Sequence, residues 1–254
     1  MKNIKQEMKK GNPMVGIFIA FPAPAPIEMA AACGYDFVII DNEHGRSEVN
    51  GATENMILAA YASGIYPIVR VPNLVMGSIL KPLDMGAKGI HVPLINTKEL
   101  AEETVKLAKY PPMGNRGFAG ATRAGSYGFS AEKGRKFLDK ANEDTFVIVA
   151  METKESISNL DDILSVPGID AVFIGPFDLS ISLGYPADVT HPIVVDAIKQ
   201  IMEKTLNAGL QVGILPISPD QAKEYIAMGV TYLPVASVGL LNKGLQSMLQ
   251  GIKG

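Results

Sequence analysis

Residues 37–46 read FVIIDNEHGR, four apolar residues that pass directly into Asp41, Asn42, Glu43, His44 and Arg46. Two carboxylates, an imidazole and a guanidinium packed this closely form either a solvated loop or the rim of an active site. His44 brings an imidazole, a group type suited to proton transfer near neutral pH. Three more ionisable residues follow apolar runs farther along: Arg70 in YPIVRV, Glu152 in FVIVAME and Asp178 in AVFIGPFD. Glu152 and Asp178 supply hard oxygen ligands of the kind that hold Mg²⁺ or Mn²⁺ while substrate and waters complete an octahedron. Each could instead cap the helix that follows it. Arg70 offers a planar fork matched to a carboxylate, or an internal ion pair to one of those two acids.

A divalent metal, a carboxylate clamp and a general base together describe a site for a 2-oxo acid. Proton transfer there forms an enolate, and reaction with an aldehyde makes or breaks a carbon–carbon bond. A Schiff-base aldolase needs a lysine inside the barrel. No strand core offers one: Lys88 only opens a strand, while Lys81, Lys98 and Lys154 fall in helices or loops.

The elements that would position these groups recur regularly. Near-continuous apolar runs at 14–20, 37–41, 66–71, 88–93, 146–152, 171–176, 210–216 and 231–237 read as parallel strands covered on both faces. Helix-like stretches lie between them, many ending in Gly before the next strand. Eight such strands in 254 residues predict an α/β protein, a single-domain TIM (β/α)8 barrel over 1–254. An open nucleotide-binding sheet would carry G-x-G-x-x-G after its first strand, where this chain reads FPAPAP. In a barrel, chemistry sits at the C-terminal strand ends, which is where Asp41, Glu43, His44, Arg70, Glu152 and Asp178 fall. Glu152 and Asp178, one βα unit apart, are expected at similar height. The Gly-rich segment 111–142 interrupts the rhythm between strands four and five. A connection this long is usually functional, and it is expected to fold over an active site, its own or a neighbour's.

Composition excludes other classes. The net charge is −3 with scattered charges, giving no basic stripe for nucleic acid and no membrane-binding segment. No apolar run approaches the roughly 18 residues that span a bilayer. The polar start MKNIKQEMKKGNP reads as neither signal peptide nor anchor, and a cytoplasmic protein is expected. The lone Cys33 excludes an internal disulfide and a cysteine-based metal site; in MAAACGYD it reads as the buried face of a helix.

Longer runs carry a resemblance. GYDFVIIDNEHG, PIVRVP, DMGAKGIHVPLINTKELAEETVKLAKYPPMGNRG, METKESISNLDDIL and GIDAVFIGPFDLSISLG resemble the class II pyruvate aldolases of the 2,4-dihydroxyhept-2-ene-1,7-dioate and 2-dehydro-3-deoxyglucarate aldolase type. The resemblance covers most of the chain. It implies a barrel enzyme, usually a hexamer, that uses Mg²⁺, Mn²⁺ or Co²⁺ to cleave a 4-hydroxy-2-oxo acid to pyruvate and an aldehyde. Glu152 and Asp178 match the metal ligands and Arg70 the substrate-carboxylate arginine. His44 matches the acid/base histidine, with Asp41 and Asp84 its supporting carboxylates. Gly175 and Phe177 match backbone contacts to the oxo acid. Asp84 falls about ten residues into a helix leading away from the mouth, which should place it deep, and it is expected to act across a subunit interface.

The chain also departs from that pattern. Many members carry Gln two residues before the metal glutamate, where this chain has Ala150, and Gly45 to Val49 differ as well. These changes touch the pocket wall. They leave open a related lyase acting on phosphoenolpyruvate or a coenzyme A thioester, and a non-catalytic oxo-acid-binding barrel. No basic cluster at the strand ends offers to hold a phosphate.

Overall fold

In the computed structural model, residues 1–46 and 48–254 are described. Eight parallel strands close in sequence order into a barrel: β1 (Met14–Ile19), β2 (Phe37–Asp41), β3 (Tyr66–Arg70), β4 (Gly89–Val92), β5 (Phe146–Met151), β6 (Ala171–Ile174), β7 (Gln211–Ile214) and β8 (Tyr232–Ala236). The eight expected strands are all present, each within a residue or two of its expected bounds. A short helix, α1 (Ile4–Lys9), precedes β1. Then come α2 (Ala25–Ala32), α3 (Gly51–Ser63), α4 (Met76–Met85) and α5 (Lys98–Ala108), one after each of the first four strands. The later helices are α6 (Arg135–Asp144), α7 (Lys154–Ser158), α8 (Leu160–Leu164), α9 (Pro176–Ser182), α10 (Pro192–Asn207), α11 (Pro219–Ala227) and α12 (Ser237–Lys253).

Strand residues alternate between two cores. One set, including Val38, Ile40, Val69, Val149 and Val172, packs outward against the helices. The other fills the barrel, where Phe18, Phe37, Tyr66, Phe146, Phe173 and Tyr232 interlock. Phe37 and Tyr232 stack at 4.6 Å. Burial on both faces is why these strands read as unbroken apolar runs. Helix ends follow the glycine signal: Gly86 closes α4 in the left-handed region at φ 105°, a conformation that suits glycine.

One expectation is corrected and another is narrowed to one of its two alternatives. Cys33 is the C-cap of α2 and is exposed, not buried; at the helix end it has rotated past the core-facing stripe of Ile27 and Ala30. The segment 111–142 does not cover the mouth of its own barrel, and its last quarter opens helix α6. It packs at the opposite, N-terminal end of the strands. There Arg123 lies 5.3 Å over the ring of Tyr61, the Ala124 N–H donates to the Asp84 carbonyl, and Asn142 and Tyr110 exchange two hydrogen bonds of 2.7 and 2.9 Å.

The last helix departs from barrel habit. α12 has no buried residue, and leaves Leu240, Leu241, Leu245, Met248, Leu249 and Ile252 exposed. Among the described residues no helix is long and apolar enough to cross a membrane.

Candidate active site

The C-terminal ends of the strands surround a cavity of about 320 Å³. Its polar side is formed by Asp41, His44, Arg70, Glu152 and Asp178, and its floor by Phe18 and Phe173. Leu215 and Val238 stand on the facing wall. Strand register makes this grouping: Asp41 on β2 is paired directly with Arg70 on β3, so the last residues of both strands deliver opposite charges to one place.

Arg70 is more fully engaged than either sequence reading allowed. Its Nε donates to Asp41 Oδ1 at 2.8 Å and its Nη2 to Asp41 Oδ2 at 2.6 Å, a two-pronged pair. Its Nη1 lies 3.0 Å from Glu43 Oε2. The internal ion pair exists, but to Asp41 and Glu43 rather than to Glu152 or Asp178. A guanidinium has five N–H groups, so two stay available. Phe18 supports the guanidinium from below at 4.7 Å. Burial opposes the charge, yet the Asp41 hydrogen bonds, with Asp41, Glu43 and Glu152 nearby, raise the pKa of Arg70 further.

Asp41 also shapes the loop. Its Oδ1 accepts from the backbone N–H groups of Glu43 and His44, at 3.1 and 3.2 Å. Its support of His44 therefore acts on the backbone, while the carboxylate nearest the imidazole is Glu43, 3.8 Å from Nε2. The His44 side chain is 65% exposed, free to reach a ligand in the cavity. Of the divergent stretch Gly45 to Val49, Ser47 lies outside the described residues.

Glu152 does not cap the next helix; Thr153 does, in a reciprocal capping box with Ser156. Instead Glu152 Oε1 accepts a 2.8 Å hydrogen bond from the Leu94 N–H. Leu94 pays for that reach with a left-handed backbone, φ 56°, a strain of about 1 kcal/mol that concentrates at functional positions. On its other side Glu152 lies against Gly175, where an added Cβ would meet Oε2 at 2.6 Å. Only glycine admits the carboxylate there. Burial, followed by repulsion from Glu43 and Asp178, pushes the Glu152 pKa up to about 7. Asp178 makes no capping bond from its place in the first turn of α9. Among the described residues neither Glu152 nor Asp178 has an ion pair, and no cluster of three or more metal-binding side chains is present. Two unpaired carboxylates around an open cavity fit a divalent cation that keeps most positions for substrate and water.

Gly175 is the N-cap of α9, and at such a helix start the N–H groups of Phe177 and Asp178 have no intrahelical acceptor. Asp84 is not brought to this site. It lies at the far end of α4, where Arg116 Nη2 donates to it at 2.8 Å. Sequence reasoning overlooked Leu94, whose role is carried by its backbone, and the aromatic floor, which looks like any barrel core.

Over residues 14–241 the sequence matches the HpcH/HpaI aldolase/citrate lyase family. The chain belongs to that family. The 2-keto-3-deoxy-L-rhamnonate aldolase of Klebsiella pneumoniae is 35% identical over 91% of this chain and 85% of its own. A HpcH/HpaI family protein from Burkholderia cenocepacia superposes with a TM-score of 0.93 at 30% identity, covering 100% of both chains. The citrate synthase SbnG superposes at 0.88 with 34% identity, covering 98% of this chain and 96% of its own. As a HpcH/HpaI family member the protein is a carbon–carbon lyase of the aldolase type.

Proposed function

We propose that the protein cleaves a 4-hydroxy-2-oxo acid of the 2-keto-3-deoxy sugar-acid class, with Glu152 and Asp178 holding a divalent cation and His44 moving the proton. One observation carries the reading: two unpaired carboxylates, a half-free Arg70 and an exposed imidazole face the same cavity of about 320 Å³. The rhamnonate-derived substrate in the relatives' name supports the substrate class. Glu152 and Asp178 would hold Mg²⁺, Mn²⁺ or Co²⁺, which would supply Lewis-acid chemistry to the bound oxo acid.

The residues divide the remaining work. The two free N–H groups of Arg70, and the backbone N–H groups of Phe177 and Asp178 beside Gly175, orient the oxo-acid carboxylate. His44 removes the C4 hydroxyl proton as the C3–C4 bond breaks and the aldehyde leaves. The electron pair passes to the pyruvate enolate, held beside Arg70, and the enolate is then protonated at its methyl carbon. Phe18 and Phe173 exclude water from below.

Asp84 enters this scheme only from another copy of the chain, because in its own chain it faces the opposite end of the barrel. A homo-oligomer, hexameric as the resemblance implies, is therefore part of the proposal, and the exposed apolar residues of α12 support assembly. A cytoplasmic setting belongs to it too, supported by an exposed free thiol at Cys33. The test is proton NMR of pyruvate in D₂O with the protein and Mg²⁺, then with EDTA. Metal-dependent loss of the methyl signal is expected. A signal unchanged with every divalent metal tried would overturn the reading.

A further inference from the structure

Against the pocket floor lies a buried polar group that has no hydrogen-bond partner among the described residues. His91, on β4, directs its imidazole into the barrel interior. Its ring centre lies 5.9 Å from that of Phe18 and 4.7 Å from that of Phe173. Both phenyl rings line the mouth cavity and touch each other at 5.9 Å, so the imidazole packs against both side chains that form its floor. The residue is 1% exposed, and its Nδ1 is buried with no hydrogen-bond partner. Its surroundings, with Ile68, Ile148 and Ala171 in the same interior cluster, are otherwise apolar. An unsatisfied buried nitrogen costs stability that a leucine at the same place would not. Such exceptions gather where a ligand supplies the missing partner.

A second observation points the same way. On the neighbouring strand His91 is in register with Ile148, and the next inward residue toward the mouth is Ala150, 1% exposed. Ala150 offers only a methyl group where the resembling aldolases carry Gln. This chain thus lacks an amide on β5 and has an imidazole on β4, both inside the barrel beneath the metal glutamate.

We propose that His91 is a substrate-binding residue whose imidazole hydrogen-bonds an oxygen of the bound oxo acid at the base of the pocket, replacing the amide absent at position 150. The proposal rests on the oxo-acid reading given above. Burial, and then the charge of Arg70, hold the His91 pKa well below its ordinary value, so the ring is neutral. A neutral imidazole presents one donor and one acceptor. It can meet an oxygen beside Arg70 without adding a second positive charge.

The test compares wild type, His91→Leu, and His91→Leu combined with Ala150→Gln. Three quantities are read: oxalate binding by calorimetry with Mg²⁺, KM for pyruvate in methyl-proton exchange, and the Tm of the metal-free protein. His91→Leu is expected to raise Tm while weakening oxalate binding and raising KM by about tenfold. The double variant is expected to recover most of the loss, because the amide restores a polar group to the floor. If His91→Leu does not fold, His91→Phe keeps a ring without nitrogen and is expected to show the same loss. Unchanged oxalate affinity and KM in a folded apolar variant would overturn the assignment and leave His91 a packing residue. A wild type that neither binds oxalate nor exchanges pyruvate protons overturns the oxo-acid reading itself, and this proposal with it.

Discussion

At the N-terminal end of the barrel, Lys5 and Lys109 converge on Asp170 at 2.9 and 3.8 Å. Lys5 also donates to the Glu143 carbonyl at 2.6 Å, and Lys109 to the carbonyls of Asn142 and Thr145, both at 2.6 Å. Helix α1 covers this end with Ile4 and Met8, both fully buried. At the C-terminal end, Asp41, Glu43, Glu152 and Asp178 gather around one guanidinium and an open cavity. The lower cluster closes on itself through carbonyls that hold α6 against β5. Among the described residues the upper one has two carboxylates without ion pairs, a strained Leu94 and, below, a His91 nitrogen without a hydrogen-bond partner. Charges that satisfy one another fasten a fold, whereas charges left over await a ligand.

Removing a ligand group should separate these roles most sharply. Glu152→Gln is expected to lower metal-dependent pyruvate exchange by about 10³-fold or more, with Tm equal to or above that of wild type because a crowded carboxylate is neutralised. Retention of a tenth of the exchange with Mg²⁺ would exclude Glu152 as a ligand. Arg70→Ala should blur the contrast, since it strands the buried Asp41 and Glu43. Both exchange and stability are expected to fall, the latter by about 3 kcal/mol in denaturant titration; an unaltered midpoint would show the pair to be dispensable. For His44→Ala the expected loss is about 10² in turnover, with calorimetric Mg²⁺ affinity nearly intact. Equal turnover would remove His44 as the base.

The smallest effect lies at the lower end. Burial brings the Lys109 pKa down from 10.5 to about 8, against the attraction of Asp170. Below pH 8 the lysine is protonated in folded and unfolded chains alike, and burying the charge carries its full cost. Between about 8 and 10.5 the unfolded chain binds a proton that the folded one lacks, so this group makes stability rise with pH. The slope is at most about 1.4 kcal/mol per pH unit. It should appear in denaturant midpoints between pH 8 and 9.5 and vanish in Lys109→Met. A slope shared by that variant would assign it to another group.

Much of the barrel was legible in the chain. A parallel strand buried on both faces has to be apolar throughout, and glycine has to end many helices, so eight strands could be read from local composition alone. The charged residues after those strands were legible for the same reason, since strand ends are where a buried run meets solvent. The break in the rhythm near 111–142 was visible, but the helix that closes it and its destination were not. Gly and Arg content marks an irregular connection without saying which end of the barrel it packs against, and that was decided by the Asn142–Tyr110 and Arg123–Tyr61 contacts.

The sequence by itself determined the fold class, the alternation of elements and the set of polar residues at the mouth, because these depend on periodicity and residue type. Only the tertiary structure decided which carboxylate holds Arg70, that a Leu94 N–H holds Glu152, that Asp84 faces away from its own mouth, and that a buried His91 nitrogen, unpartnered among the described residues, packs against two phenyl rings. Those outcomes depend on strand register and on loops that bring together residues 29, 32, 58 or more than 70 positions apart. Several carboxylates were chemically equivalent as partners for Arg70, and register placed Asp41 opposite it.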